Sequence, residues 1–289
     1  MELTQVATGY CFLEAPRADG DCVWFTDLLL GGLHRRSADG RIDVFLPDLK
    51  HIGGVVLNDD GKIICGGPKG LVWLDPETGR SGVLLDTVEG EALTGANDMY
   101  PDGRGGLYFG TLSRAGEYGQ PPSLTGLYRI DAEGRAAKLM DGLKFSNGLG
   151  LSPDGRRLYH NESLNAVFVY DVLTDGSLAN KSLFSPQDNG DGLAVDVEGC
   201  VWNSSFATGE IVRYFPDGRI KDRIAIPHKV VTSLCFGGAD GRDVWITTAG
   251  HEGIDALMSG GMPPREASLF HARADVPGLP TPVTRFRIP

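Results

Sequence analysis

One apolar or aromatic run, each time just after an Asp-Gly-like turn, recurs six times along this chain. The copies are DCVWFTD (21–27), GKIICGG (61–67), GGLYFGT (105–111), RRLYHNE (156–162), GCVWNSS (199–205) and RDVWITT (242–248). Their central residues are Trp24, Ile64, Tyr108, Tyr159, Trp202 and Trp245, with gaps of 40, 44, 51, 43 and 43 residues. A period of about 44 means a repeat architecture, in which each unit buries its apolar surface against the next.

Each unit holds more than one strand. A second run follows the first in every copy, as in LVWLD (71–75), GLYRID (126–131), VFVYD (167–171) and IVRYF (211–215). Most of these lead into a polar turn such as ADG (38–40), PETG (76–79) or PDG (216–218), then a short apolar segment. A further run ends in a turn between units, as in NDMYPDG (97–103), NGLGLSPDG (147–155) and DGLAVDVEG (191–199). Four short strands joined by tight Gly turns in 40–50 residues make a propeller blade. The expected fold is all-β: a single six-bladed β-propeller over 1–289, with four-stranded antiparallel blades, its ring closed by N- and C-terminal strands. TPVTRFRIP (281–289) reads as one more strand, pairing with a first blade completed near the N-terminus. No helical pattern alternates with the strands, and GGPKG (66–70) is not a GxGxxG loop, which excludes a Rossmann fold. MSGGMPPREA (258–267) reads as a surface insertion in the last blade.

Composition narrows the function. Glycine supplies 41 of 289 residues, about twice the usual share of roughly 7%, as a turn-rich chain requires. The net charge of −11 without a basic cluster speaks against nucleic acid as a partner. No apolar stretch suits a bilayer crossing, and MELTQVATGY lacks the features of a secretory signal. The expected location is cytoplasmic. Cys11, Cys22, Cys65, Cys200 and Cys235 form no CxxC pair, so reduced core thiols are expected; a Cys11–Cys22 bridge has no independent support.

The repeat also aligns polar residues. Glu14 lies 10 residues before Trp24, Asn97 lies 11 before Tyr108, Asn147 lies 12 before Tyr159, and Asp191 lies 11 before Trp202. In a closed ring these starts of innermost strands converge on one end of the central channel. Close carboxylates repel unless protonated or bridged by a cation. A hard divalent ion accepts carboxylate and amide oxygens: calcium suits the set best, with magnesium, manganese or zinc as alternatives. The alternative reading makes Asn147-Gly148, Asp191-Gly192 and Asn97-Asp98 turn residues and Glu14 a surface charge. Gly148 and Gly192 are expected where the chain turns tightly into the channel. Val231, Thr232 or Ser233 are expected near the channel mouth, and His34 and His160 in packing or surface roles.

Five motifs in order give this chain a resemblance to the SMP30/gluconolactonase family. They are LEAPRADGDCVWFTD, GANDMYPDGRGGLYFGT, FSNGLGLSPDGRRLYHNES, DGLAVDVEGCVWNSS and VTSLCFGGADGRDVWITTA. The resemblance implies that Glu14, Asn147 and Asp191 bind the metal. It also implies that Asp191 serves as general base or nucleophile and that Asn97 contacts substrate. The implied activity is metal-dependent hydrolysis of a small-molecule lactone or ester. The sequence departs from the pattern at Gly95, where sugar-lactone members usually carry Arg; Met99 follows Asn97-Asp98. Glu117 is assigned to substrate binding, and Tyr118, His51 and His251 are pocket candidates. The alternatives are hydrolysis of an organophosphate or enol ester, isomerisation of a lactone-like metabolite, or a non-enzymatic calcium-binding propeller.

Overall fold

Short runs of alternating or continuous apolar residues between Gly turns form six four-stranded antiparallel sheets arranged as a β-propeller. The computed structural model describes residues 1–112 and 125–289. Blade 1 runs from the innermost strand Leu13–Asp19 to Ile42–Phe45, and blade 2 from Gly54–Leu57 to Ser81–Leu85. Blade 3 spans Ala96–Pro101 to Ala136–Leu143, blade 4 Phe145–Leu151 to Leu178–Ser185, and blade 5 Gly190–Val195 to Ile220–Ala225. Blade 6 takes three strands from Val230–Gly237 to Ala267–Arg273, and its outermost strand is the N-terminal Leu3–Tyr10, paired antiparallel with Ala267–Arg273.

Each blade turns from its innermost to its second strand through a glycine at φ between +55° and +82°: Gly20, Gly61, Gly103, Gly155, Gly199 and Gly241. That backbone is open to glycine at little steric cost. In five blades an Asp locks the turn through Oδ1, as where Asp102 accepts from the Arg104 and Gly106 amides at 2.7 and 2.9 Å and Asp196 from the Glu198 and Cys200 amides at 3.0 Å; Asp60, Asp154 and Asp240 do the same.

The repeated aromatic or aliphatic residue lies on the second strand of every blade. The apolar clusters sit between neighbouring blades. Leu13, Val23 and Phe25 of blade 1 meet Ala267 and Leu269 of blade 6, and Tyr159 and Val167 of blade 4 meet Leu193, Val201 and Val212 of blade 5. All five cysteines are free. Burial pushes the Cys65 thiol up to about 12 and the Cys235 thiol up to about 11, so neither is poised to react.

The C-terminal segment differs from the sequence expectation. Residues 281–289 add no strand to the first blade. They form a strap across the ends of the innermost strands, making single bridges rather than a ladder. Leu279 N–H donates to Val195 O at 2.8 Å, Thr284 N–H to Leu57 O at 2.9 Å and Arg285 N–H to Gly105 O at 2.8 Å. Phe286 is buried in the cluster between blades 2 and 3. Blade 1 already has its four strands within Leu13–Phe45, and Leu3–Tyr10 completes blade 6, so neither sheet takes a strand from this segment. Residues 260–266 are largely exposed and follow a short helix, Gly253–Ser259, that the sequence reading did not include. Among the described residues no helix is long and apolar enough to cross a membrane.

The innermost strands approach one another so closely that some positions have no room for a side chain. A Cβ on Gly148 would stand 2.4 Å from Asp191 O and 2.6 Å from Leu193 N, and one on Gly192 would stand 2.0 Å from Ser233 Oγ. Neither glycine has a positive φ. The tight turn expected there is therefore corrected: glycine serves close approach between blades. Gly148→Ala must displace the blade 5 backbone, so it should cost about 1–3 kcal/mol. Urea unfolding of the variant beside the unaltered protein measures that loss.

Candidate active site

Strand register makes the polar set equivalent residue by residue. On the innermost strands, Arg17, Val56, Tyr100, Gly150, Ala194 and Cys235 pair with Trp24, Ile64, Tyr108, Tyr159, Trp202 and Trp245. Three residues before each stand Glu14, Gly53, Asn97, Asn147, Asp191 and Thr232. The sequence spacings of 10 to 12 differ only because the hairpins differ in length. In blades 1, 3, 4 and 5 the ladder shifts at this point, so that two residues oppose one. Such a bulge re-aims side chains.

The structure brings Asn97, Asn147, Glu14 and Asp191 together. Asn97 Nδ2 donates to Ser146 O at 2.9 Å and to Asn147 Oδ1. Asn147 Nδ2 donates to Ser163 Oγ at 2.7 Å. Glu14 and Asp191 are both 7% exposed, and their charges act on one another. The Ala15 amide donates to Glu14 Oε2 at 3.2 Å; burial and the Asp98 charge act on Asp191 with no donor to offset them. Burial, then the Asp191 and Asp98 charges, hold Glu14 well above the usual carboxylate range, and Asp191 lies well above it too. Two buried carboxylates whose charges act on one another, with no cation among the described groups acting on them, are a donor set that fits a hard divalent ion.

Asp98 is the residue that sequence reasoning missed. It is the second residue of the blade 3 bulge, and burial pushes it up to about 7, against the lowering effect of Arg17. Alternation along a regular strand would have turned it away from Asn97; the Ala96-to-Met99 register shift was the hidden signal. Asp98, Arg17, Leu149, Ser233 and Thr281 line a narrow cavity of about 30 Å³ inside the channel, room for little more than a water molecule. Arg17 spans the channel, donating from Nε to Val55 O at 3.0 Å and from Nη1 to Thr281 Oγ1 at 3.2 Å. Side chains and the C-terminal strap thus fill the far end, and the polar set is approached from the mouth.

The other candidates fall elsewhere. Thr232 is buried and donates to Leu13 O at 2.6 Å, tying blade 6 to blade 1. Ser233 lines the channel. Met99 packs between blades against Gly54 and Gly66. His160 is fully buried, 2.8 Å from Ser146 Oγ through Nε2, and burial lowers its pKa to about 3. His34 stacks on Phe25 at 5.1 Å between ring centroids. His251 is exposed, while burial and then Lys50 lower the pKa of His51. Glu117 and Tyr118 lie outside the described residues.

A profile of the SMP-30/Gluconolactonase/LRE-like region matches residues 12–250. The chain belongs to the SMP-30/gluconolactonase/LRE-like family. It is 31% identical to the 6-deoxy-6-sulfogluconolactonase of Pseudomonas putida, over 94% of this chain and 97% of that protein. It is 30% identical to the L-arabinolactonase of Azospirillum brasilense, over 90% of this chain and 86% of that one. The fold matches the crystal structure of a calcium-binding protein, regucalcin, from Agrobacterium tumefaciens with a TM-score of 0.80, at 23% identity over 98% of this chain and 97% of that one.

Two glycines stand beside the polar set. Gly95 is buried at φ +65°, a backbone that an arginine would adopt only under strain. Gly53 stands at the equivalent register position of blade 2; a Cβ there would stand 2.2 Å from Asn97 Oδ1. A second group of acidic and thiol side chains, Asp196, Glu198 and Cys200, offers ligand atoms within 4.8 Å of one another and could hold a divalent ion. Its central carboxylate is already engaged, since Asp196 Oδ2 accepts from Trp202 Nε1 at 2.9 Å and Arg213 Nη2 at 2.6 Å.

The charge cluster predicts a pH signature. A carboxyl whose folded pKa is raised holds a proton that the unfolded chain releases near pH 4, so its contribution falls as pH rises through the raised value. In EDTA, Asp191→Asn should melt at least about 2 °C above the unaltered protein at pH 8, with the gap closing towards pH 4.5. Differential scanning fluorimetry across that range gives the readout.

Proposed function

We propose that this protein is a metal-dependent lactone hydrolase acting on a small hydroxylated lactone. The observation that carries the reading is the convergence of Glu14, Asn147 and Asp191, with Asn97 beside them, on one end of the channel. Two of the four are buried carboxylates with no cation among the described groups acting on them. Membership of the family and the lactonases among its relatives support the reaction class.

Glu14, Asn147 and Asp191 would hold one divalent ion, calcium by preference for an all-oxygen set. That ion would polarise the ester carbonyl and stabilise negative charge growing on its oxygen. Asp191 takes a proton from the attacking water as the O–C bond forms at the carbonyl carbon, and returns it to the departing ring oxygen. The charges of Glu14 and Asp98 near Asp191 favour its holding that proton between the two steps.

Asn97 has a narrower role than an amide usually has. Its Nδ2 is spent on Ser146 O and Asn147 Oδ1, leaving Oδ1. An oxygen accepts, so Asn97 serves a substrate hydroxyl or the ion and does not donate to a developing oxyanion. Gly95 brings no guanidinium to this side, so recognition of the ring hydroxyls rests on neutral acceptors such as Asn97. Glu117 completes the substrate assignment of this reading.

Proton release with aldonolactones should therefore require calcium and stop in EDTA. Asp191→Asn should lower kcat by about 10²–10⁴ with an unchanged circular dichroism spectrum. Turnover at the unaltered rate in that variant, or turnover insensitive to EDTA, would overturn the assignment.

A further inference from the structure

We infer that Ser163 is a positioning residue that decides which atom of Asn147 faces the metal cup. The inference rests on the ligand role proposed above for Asn147, and extends it to a residue on the next strand.

Ser163 closes the second strand of blade 4, Arg157–Ser163, where Phe145 is its cross-strand partner. It is buried. Its Oγ donates to Gly190 O and lies 2.7 Å from Asn147 Nδ2. A main-chain carbonyl only accepts, so the single hydroxyl proton of Ser163 belongs to Gly190. Only lone pairs remain for Asn147, and a lone pair is satisfied only by a donor. Asn147 must therefore turn its NH2 to Ser163 and leave Oδ1 on the side of Asn97. Were the carboxamide reversed, two acceptors would face each other at Ser163 and an N–H would point where an oxygen is needed.

The same logic holds the neighbours. Ser146 O fixes the amide of Asn97. Asn161, two residues before Ser163 and on the same face of its strand, donates from Nδ2 to Asp191 O at 2.6 Å and to Asn203 Oδ1. Asn203 Nδ2 in turn donates to Gln187 Oε1 at 3.1 Å. The second strand of blade 4 thus grips the main-chain carbonyls of both Gly190 and Asp191. Among the described residues, Ser163 joins this grip to the side chain of Asn147. Partners that orient metal ligands in this way carry much of the affinity of a site.

The test is a calorimetric titration of calcium into the unaltered full-length chain, Ser163→Ala, Asn147→Ala and the double variant. Ser163→Ala should weaken calcium binding about ten- to hundredfold while the circular dichroism spectrum is retained. Ser163→Thr, which keeps the hydroxyl, should bind within about threefold of the unaltered protein. If Ser163 acts through Asn147, Ser163→Ala changes affinity by less than about twofold once Asn147 is already alanine. Affinity unchanged in Ser163→Ala, a loss in Ser163→Thr as large as in the alanine variant, or a double variant showing the product of the two single losses would each overturn the inference. If Asn147→Ala binds calcium as tightly as the unaltered protein, the proposed cup itself fails, and the role of Ser163 with it. If Asn147→Ala weakens binding and Ser163→Ala does not, only the role of Ser163 fails.

Discussion

Close approach of the innermost strands is the constraint on which the rest of this structure depends. Six sheets packed around one axis crowd most where they meet, and the chain responds by removing side chains there. Gly54 lies against Asn97 O, Gly148 against Asp191 O, and Gly192 against Ser233; a Cβ at any of them would fall between 2.0 and 2.4 Å of the next blade. Interiors at crystal-like density tolerate no such overlap. Because the glycines let neighbouring blades touch, the residues beside them are brought within hydrogen-bonding range. Asn97, Ser146 and Asn147 form one bonded chain across the boundary between blades 3 and 4. Asn147, Ser163 and Gly190 form another across the boundary between blades 4 and 5.

The same crowding sets the electrostatics. Glu14, Asp98 and Asp191 stand on three blades, and the ring forces their charges into one poorly solvated space. A fold selected for stability alone would separate them, since burial and like charge both oppose ionisation. Their grouping fits the cation site proposed above. Arg17 partly offsets Asp98, yet it is anchored to Val55 and Thr281 across the channel. The C-terminal strap thus helps to hold the one arginine lining that cavity.

Much of the ring was legible in the chain. The Asp-Gly turns showed where the innermost strands end, and the Trp and Tyr residues of the second strands carried the period. Glu14, Asn97, Asn147 and Asp191 could be aligned because each keeps a nearly constant distance from such a residue. Asp98 was not legible as a partner of Asn97. Strand alternation separates neighbouring side chains, and only a bulge, which has no sequence mark of its own here, overrides it. Ser163 was hidden for a related reason. Its proton goes to the main-chain carbonyl of Gly190 in another blade, and a carbonyl leaves no trace in residue identity. The tail, 281–289, looked like a strand because TPVTRFRIP has strand composition; blade 1 is complete without it and the N-terminal strand completes blade 6.

By itself, then, the sequence determined a six-fold repeat of four short strands, the identity of the polar residue at four of the innermost positions, and the family whose motifs they form. Local rules suffice for these, because turn chemistry and hydrophobic alternation act within a few residues. The tertiary structure decided which edge the termini occupy, that Gly148 and Gly192 serve approach rather than turning, that Asp98 joins the carboxylates, and which atoms of Asn97 and Asn147 are left free. These depend on what stands across a blade boundary, where the partner is dozens of residues away and the deciding groups are often backbone. Only the closed ring brings those groups within bonding distance.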